Sequence, residues 1–138
     1  MEIEHFEGVE GIKLLFEKTL QNNEKILRTV LSGRPLVYLA GEEFSERYMA
    51  ERSKAKIFLK SLRLSSDDLD LPQHQDYVKH NKEVRIAPKD VKFDDSLIIW
   101  DNFVAIVDVK NISSVLIKNK KNASVMKKWF DYVWTNSE

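Results

Sequence analysis

Ser96-Leu97-Ile98-Ile99-Trp100-Asp101-Asn102-Phe103-Val104-Ala105-Ile106-Val107 is the stretch that decides the fold of this chain. Two apolar runs flank Asp101-Asn102, a pair suited to a two-residue turn, so the stretch predicts a buried β-hairpin. Ser113-Ser114-Val115-Leu116-Ile117 follows as a further strand, and a closing helix is expected from about Asn119 to Thr135. Its apolar residues Val125, Trp129, Phe130, Val133 and Trp134 are expected to be buried.

Working back from the hairpin, Glu83-Val84-Arg85-Ile86-Ala87 reads as a short strand stopped by Pro88. Pro72 to Asn81 reads as a short helix, and Ser65 to Leu71 as a loop. Ile57 to Leu64 reads as a strand, preceded by a helix from Glu42 to about Lys56 with an acidic first turn. Pro35-Leu36-Val37-Tyr38-Leu39-Ala40 is a continuous apolar run, expected as a buried strand closed by Gly41. Val9, Ile12, Leu15, Phe16, Leu20, Ile26, Leu27 and Val30 lie near helical spacing, predicting one long amphipathic helix to Leu31 with a break near Gln21-Asn22-Asn23. Ile3 to Phe6 predicts an initial strand ended by Gly8. Helices between the early strands imply parallel crossovers, whereas the late strands are hairpin-linked and antiparallel. The expected class is α/β, a mixed β-sheet covered by helices.

Composition narrows the function. The 138 residues fit one domain with a genuine core, expected to span residues 1–138. Apolar content of 43% and charged content of 32% place the chain among folded proteins and not disordered ones. Lys+Arg and Asp+Glu both number 22, so no net charge draws it to nucleic acid or anionic lipid. The absence of cysteine removes disulfides, thiolate metal sites and cysteine nucleophiles. No apolar stretch approaches the roughly 18–20 residues that cross a bilayer, so no membrane role and a cytoplasmic location are expected.

Motifs in order along the chain resemble the effector domain of TrmB-type transcriptional regulators, a phospholipase D-like sensor module. They are Phe6-x-Gly8-x-x-Gly11-Ile12, Tyr48-x-x-x-Arg52, Val84-Arg85-x-x-Pro88, Ile98-Ile99-Trp100-Asp101-Asn102-x-Val104-Ala105-Ile106 and Lys128-x-Phe130-x-x-x-Trp134. The resemblance implies a phospholipase D-like fold, a small-molecule effector (often a sugar), a homodimer, and DNA contact only through a separate helix-turn-helix domain. The sensor pattern already opens at Glu7; an excised domain and a chain working without its own DNA reader both fit it.

Phospholipase D chemistry needs a His nucleophile, a phosphate-gripping Lys and an Asp, spaced His-x-Lys-x-x-x-x-Asp. Superposing the hairpin on that motif puts Phe93, Asp95 and Trp100 at the three positions. His80-x-Lys82 has the first spacing, but Ala87 stands where Asp is required. A non-catalytic domain is therefore expected.

Other chemistry is weaker. His74 and His80 do not share a helical face at their spacing, and His5 is remote, so no metal site is expected. Asp67-Asp68-Leu69-Asp70 lacks the Gly and distal Glu of a calcium loop. Gly8-Val9-Glu10-Gly11 reads as a helix start, and Lys118, Lys120, Lys121, Lys127 and Lys128 as a solvated face. No cofactor is implied. The candidate ligand residues are Arg63 with Lys60 and Ser61 near the end of one strand, and Arg85 on the next. If adjacent, the two guanidinium groups could converge on a carboxylate, phosphate or sugar. Arg52 is expected to pair at the surface near Glu51. The competing reading is a protein–protein interaction or dimerisation module that has lost its ligand.

Overall fold

Asp101 adopts a positive φ of 46° in the hairpin turn, and from there the whole sheet can be traced. In the computed structural model of the chain, which describes residues 1–32, 36–64 and 81–138, strand β5 (Ser96–Trp100) turns at Asp101-Asn102 into β6 (Phe103–Asp108). The remaining strands are β1 (Glu2–Glu7), β2 (Ile26–Leu31), β3 (Phe58–Arg63), β4 (Lys82–Ile86) and β7 (Ser113–Lys118). Among the described residues they form a seven-stranded sheet in the order β1-β7-β6-β5-β2-β3-β4. β2, β3 and β4 run parallel, while β5, β6, β7 and β1 pair antiparallel, as the mixed-sheet reading expects.

Helices cover both faces. Against one face lie α1 (Gly8–Thr19), the short 3₁₀ helix Leu36–Ala40 and α2 (Glu42–Lys54). Their core includes Ile12, Leu15, Phe16, Leu36, Tyr48, Ile98 and Trp100. Against the other lies α3 (Lys120–Thr135), whose Ala123, Phe130, Val133 and Trp134 pack with Val30, Leu62, Ile99 and Val104. Asn119 caps α3 by accepting a bond from the Asn122 amide at 2.8 Å. Gly11 sits close to β1: a Cβ there would stand 2.9 Å from the Phe6 carbonyl carbon.

Three expectations from sequence are corrected. The long first helix ends at Thr19, and Ile26 to Leu31 is a strand. Asn22 makes the break by accepting from the Lys25 amide and donating to the Ile26 carbonyl, with Lys25 at φ 61°. Five of the six β2 residues are buried, so the strand shows no alternation and its apolar spacing mimics a helix. Leu36 to Ala40 is a 3₁₀ helix and not a strand. A continuous apolar run carries no period to separate the two, and only packing against α1 and α2 decides it. Along α3, Val125 is 65% exposed and Trp129 half-buried, because the helix rests on the sheet through Ala123, Phe130, Val133 and Trp134. The helix expected over Pro72–Asn81 and the loop Ser65–Leu71 lie outside the described residues, as do His74, His80 and the Asp67-Asp68-Leu69-Asp70 run.

Candidate functional site

Strand register brings three rows of side chains together on the face under α1 and α2. Leu27 pairs with Leu59 and Leu59 with Lys82; Thr29 with Ser61 and Ser61 with Val84; Leu31 with Arg63. Residues paired across a sheet share a face, so these rows face α2 and the 3₁₀ helix. Between them is a cavity of ≈ 60 Å³. Leu36, Val37 and Tyr38 close it from the 3₁₀ helix, and Tyr48, Met49 and Arg52 from α2.

The lining is mostly carbon, with a concentrated set of polar groups. Arg63, Lys82 and Arg52 are all buried, and no acidic side chain lines the cavity among the described residues. Arg52 Nη1 donates to the Ile57 and Asn81 carbonyls at 3.0 and 3.1 Å, fastening α2 to the starts of β3 and β4. Burial pulls its pKa below the ordinary arginine value. Arg63 and Lys82 also have interactions with other groups of the protein. The Thr29 and Ser61 hydroxyls differ: both are buried, both line the cavity, and neither has a hydrogen-bond partner. Such orphaned hydroxyls cost stability unless something supplies the bond.

Tyr48 completes the wall. Its hydroxyl bonds that of Thr19, whose own proton goes to the Phe16 carbonyl at 2.6 Å. Complete burial pushes the Tyr48 phenol up to about 12. Burial raises Tyr38 as well, opposed by the nearby Arg63 charge.

The expected pairing of Arg63 with Arg85 does not occur. β3 and β4 are neighbours, but Arg85 pairs with Leu62 and Arg63 with Ile86, so the two guanidinium groups point to opposite faces. Arg85 donates to Glu83 at 2.8 Å and to the Trp134 carbonyl at 2.9 Å, and its guanidinium carbon stands 4.6 Å from the Trp134 ring centroid. Lys60 lies over the same ring at 5.7 Å. Arg63 and Ser61 therefore belong to the cavity, and Lys60 and Arg85 to the seat of α3. The parity of one residue decides it. Arg52 is corrected too: it is 1% exposed, and Glu51 pairs with Arg47 instead. Phe44, Tyr48 and Arg52 fall on one stripe at i, i+4, i+8; that spacing is the signal that could have found it.

The positions matched to phospholipase D chemistry lie elsewhere. Phe93, Asp94 and Asp95 border a groove under α3 with Leu97, Ile106, Met126 and Trp129. The Phe93 and Trp129 rings are 6.3 Å apart. Trp100 is fully buried and stacked on Phe103 at 4.8 Å. Among the described residues no cluster of His, Asp and Glu could hold a metal ion, and no helix is long and apolar enough to cross a membrane.

The sequence matches no protein-family model and no curated protein. Solved structures do match. The chain is similar over 99% of its length to Nuc from Salmonella typhimurium, a phospholipase D family member, with a TM-score of 0.68, 16% identity and 96% of that chain covered. NucT from Helicobacter pylori matches over 99% of this chain and 97% of its own, with a TM-score of 0.65 and 9% identity. This chain has the phospholipase D-like fold. TrmBL2, an archaeal chromatin protein with a novel mode of DNA binding, matches over all of this chain, with a TM-score of 0.62 and 18% identity. The chain spans 55% of TrmBL2. The resemblance read from the motifs is thus carried by a shared architecture, with a seven-stranded mixed sheet at its centre.

Proposed function

We propose that this domain is a non-catalytic, cytoplasmic, small-molecule-sensing module of the TrmB-like regulatory type. The observation that carries the reading is the cavity between sheet and α2, where the Thr29 and Ser61 hydroxyls lie buried without partners beside Arg63 and Lys82. A ligand bonding those hydroxyls would tie α2 to the parallel strands, favouring one arrangement of the domain over another. A coupling of about 1–3 kcal/mol suffices to alter a partner's affinity 5–150-fold. Likeness to TrmBL2, an archaeal chromatin protein, supports a regulatory setting; in this proposal DNA is contacted through a separate helix-turn-helix domain. Phe93, Asp95 and the buried Trp100 supply none of the His, Lys and Asp groups of phospholipase D chemistry, which supports the non-catalytic reading.

The test is a thermal-shift screen against sugars, sugar phosphates, nucleotides and small carboxylates. A ligand specific to the folded state adds about 2.7 kcal/mol at a hundredfold excess over its Kd. A shift abolished by Ser61→Ala supports the cavity as the sensor site. Hydrolysis of a phosphodiester by the purified domain overturns the non-catalytic reading.

A second reading, a dimerisation or interaction module, has its own support. Val125 and Tyr132 are 65% and 72% exposed on one stripe of α3 with Trp129, and Ile106 is exposed on β6 beside it. Exposed apolar side chains grouped in this way favour a protein partner. The two readings are compatible in a homodimer whose geometry responds to the cavity.

A further inference from the structure

We infer that the open part of the sheet beside α3, over β6, β7 and β1, seats the α3 of a second copy of this chain, with the two helices antiparallel. The inference rests on the interaction reading of the α3 stripe. It names the surface that receives the stripe and the charges that set its direction.

Strand register supplies the surface. Ile3 of β1 pairs with Ile117 of β7, and Ile117 with Val104 of β6. In the next row of this face His5 pairs with Val115, Val115 with Ile106, and Ile106 with Leu97. Paired residues share a face, and Val104 and Leu97 belong to the core under α3, so both rows lie on the α3 side of the sheet. α3 itself rests on β5 and β6. Beyond it Ile3 is 53% and Ile106 38% exposed, while Val115 and Ile117 are half-buried. Strands about 4.8 Å apart give β6, β7 and β1 a span of about 10 Å, the width of one helix.

α3 supplies the matching element. Lys121, Val125, Lys128 and Tyr132 are all exposed and spaced i, i+4, i+7 and i+11, so they form one stripe that alternates lysine with an apolar side chain.

Charge sets the direction. Asp94 and Asp95 border the groove between Trp129 and Ile106, which has no basic lining residue among those described. Asp94, Asp95, Lys121 and Lys128 are in no ion pair among the described residues. α3 starts beside the hairpin turn, where the Asn119 amide donates to the Asn102 carbonyl at 2.9 Å, and Asp94-Asp95 precede β5 at the other end of the hairpin. Lysine and aspartates thus stand at opposite ends of one surface. Antiparallel helices related by a two-fold axis bring Lys121 of each copy to Asp94-Asp95 of the other, twice per dimer; parallel helices would leave both ends unmatched.

The experiment is sedimentation velocity over a range of concentrations at low and high salt, on the wild type, Lys121→Glu and Asp95→Lys, each with a melting curve matching wild type. Wild type is expected to dimerise, more weakly at high salt. Each variant alone faces like charges at both ends and dimerises at least tenfold more weakly. An equimolar mixture of the two regains both opposite-charge contacts, so it forms the dimer. Ile106→Ser in the receiving surface weakens dimerisation, and Glu43→Lys on α2 leaves it unchanged. Dimers that persist in both variants, or a mixture that stays monomeric, overturn this arrangement while the dimer reading stands. A monomeric wild type overturns both and leaves the sensor reading, which thermal shift tests, untouched.

Discussion

At residue scale the clearest case is Trp100. It is fully buried and stacked on Phe103, so it serves the core. Trp100→Asp is expected to cost more than about 4 kcal/mol through a cavity and a buried charge. Chemical denaturation checks this, and a near-normal midpoint would contradict it. Tyr48 offers a pH test. Its phenol is held near pKa 12 in the fold against an ordinary value of 10.0. Below pH 10 both folded and unfolded states keep the proton. Between pH 10 and about 12 the unfolded state loses it first, so stability falls as pH rises. Tyr48→Phe is expected to flatten that decline and to cost about 1 kcal/mol at neutral pH through the bond lost to Thr19. Urea melts at pH 8 and above pH 10 would show it.

At the scale of elements, single side chains hold neighbouring pieces in place. The Asp101 carboxylate accepts from the Asn23 and Glu24 amides at 3.0 Å, while its own amide donates to Glu24 at 3.1 Å. The hairpin turn therefore braces the start of β2. Asp101→Ala loses both bonds and places alanine at positive φ, with an expected cost of about 2–3 kcal/mol. Asp101→Asn tolerates that φ and keeps one acceptor oxygen, so its cost is expected to be about half as large; the two urea midpoints compared side by side check the order. Arg85 does similar work on α3 by donating to the Trp134 carbonyl. Arg85→Ala is expected to lower stability by about 1–2 kcal/mol. Legibility at this scale followed periodicity. The hairpin, β7, α2 and α3 have periods or turns that announce them. β2 and the Leu36–Ala40 helix do not, since β2 is buried at five of its six residues and the Leu36–Ala40 run is apolar throughout, so neither carries a polar half of the pattern.

At the scale of the whole molecule, two features compete for functional weight: a small cationic cavity on one face and an apolar stripe on α3 over the other. A homodimer through the α3 stripe is expected, with Val125→Glu shifting the chain to monomer without changing its melting temperature by more than a few degrees. Sedimentation velocity over a range of concentrations reads this directly. A wild-type chain that stays monomeric at high concentration would remove the dimer from the proposal.

The sequence by itself determined the mixed sheet, the order of its late strands and the closing helix. Each rests on local signals: turn chemistry at Asp101-Asn102, helical spacing, and residue identity. Ser61 and Arg63 were legible as strand-end polar residues. Their true companions Thr29, Lys82 and Arg52 come from β2, β4 and α2, and only the tertiary structure assembled them. The physical reason is register. A strand places alternate residues on opposite faces, and pairing decides which residues of other strands join them. That one-residue parity sent Arg63 into the cavity and Arg85 to the seat of Trp134.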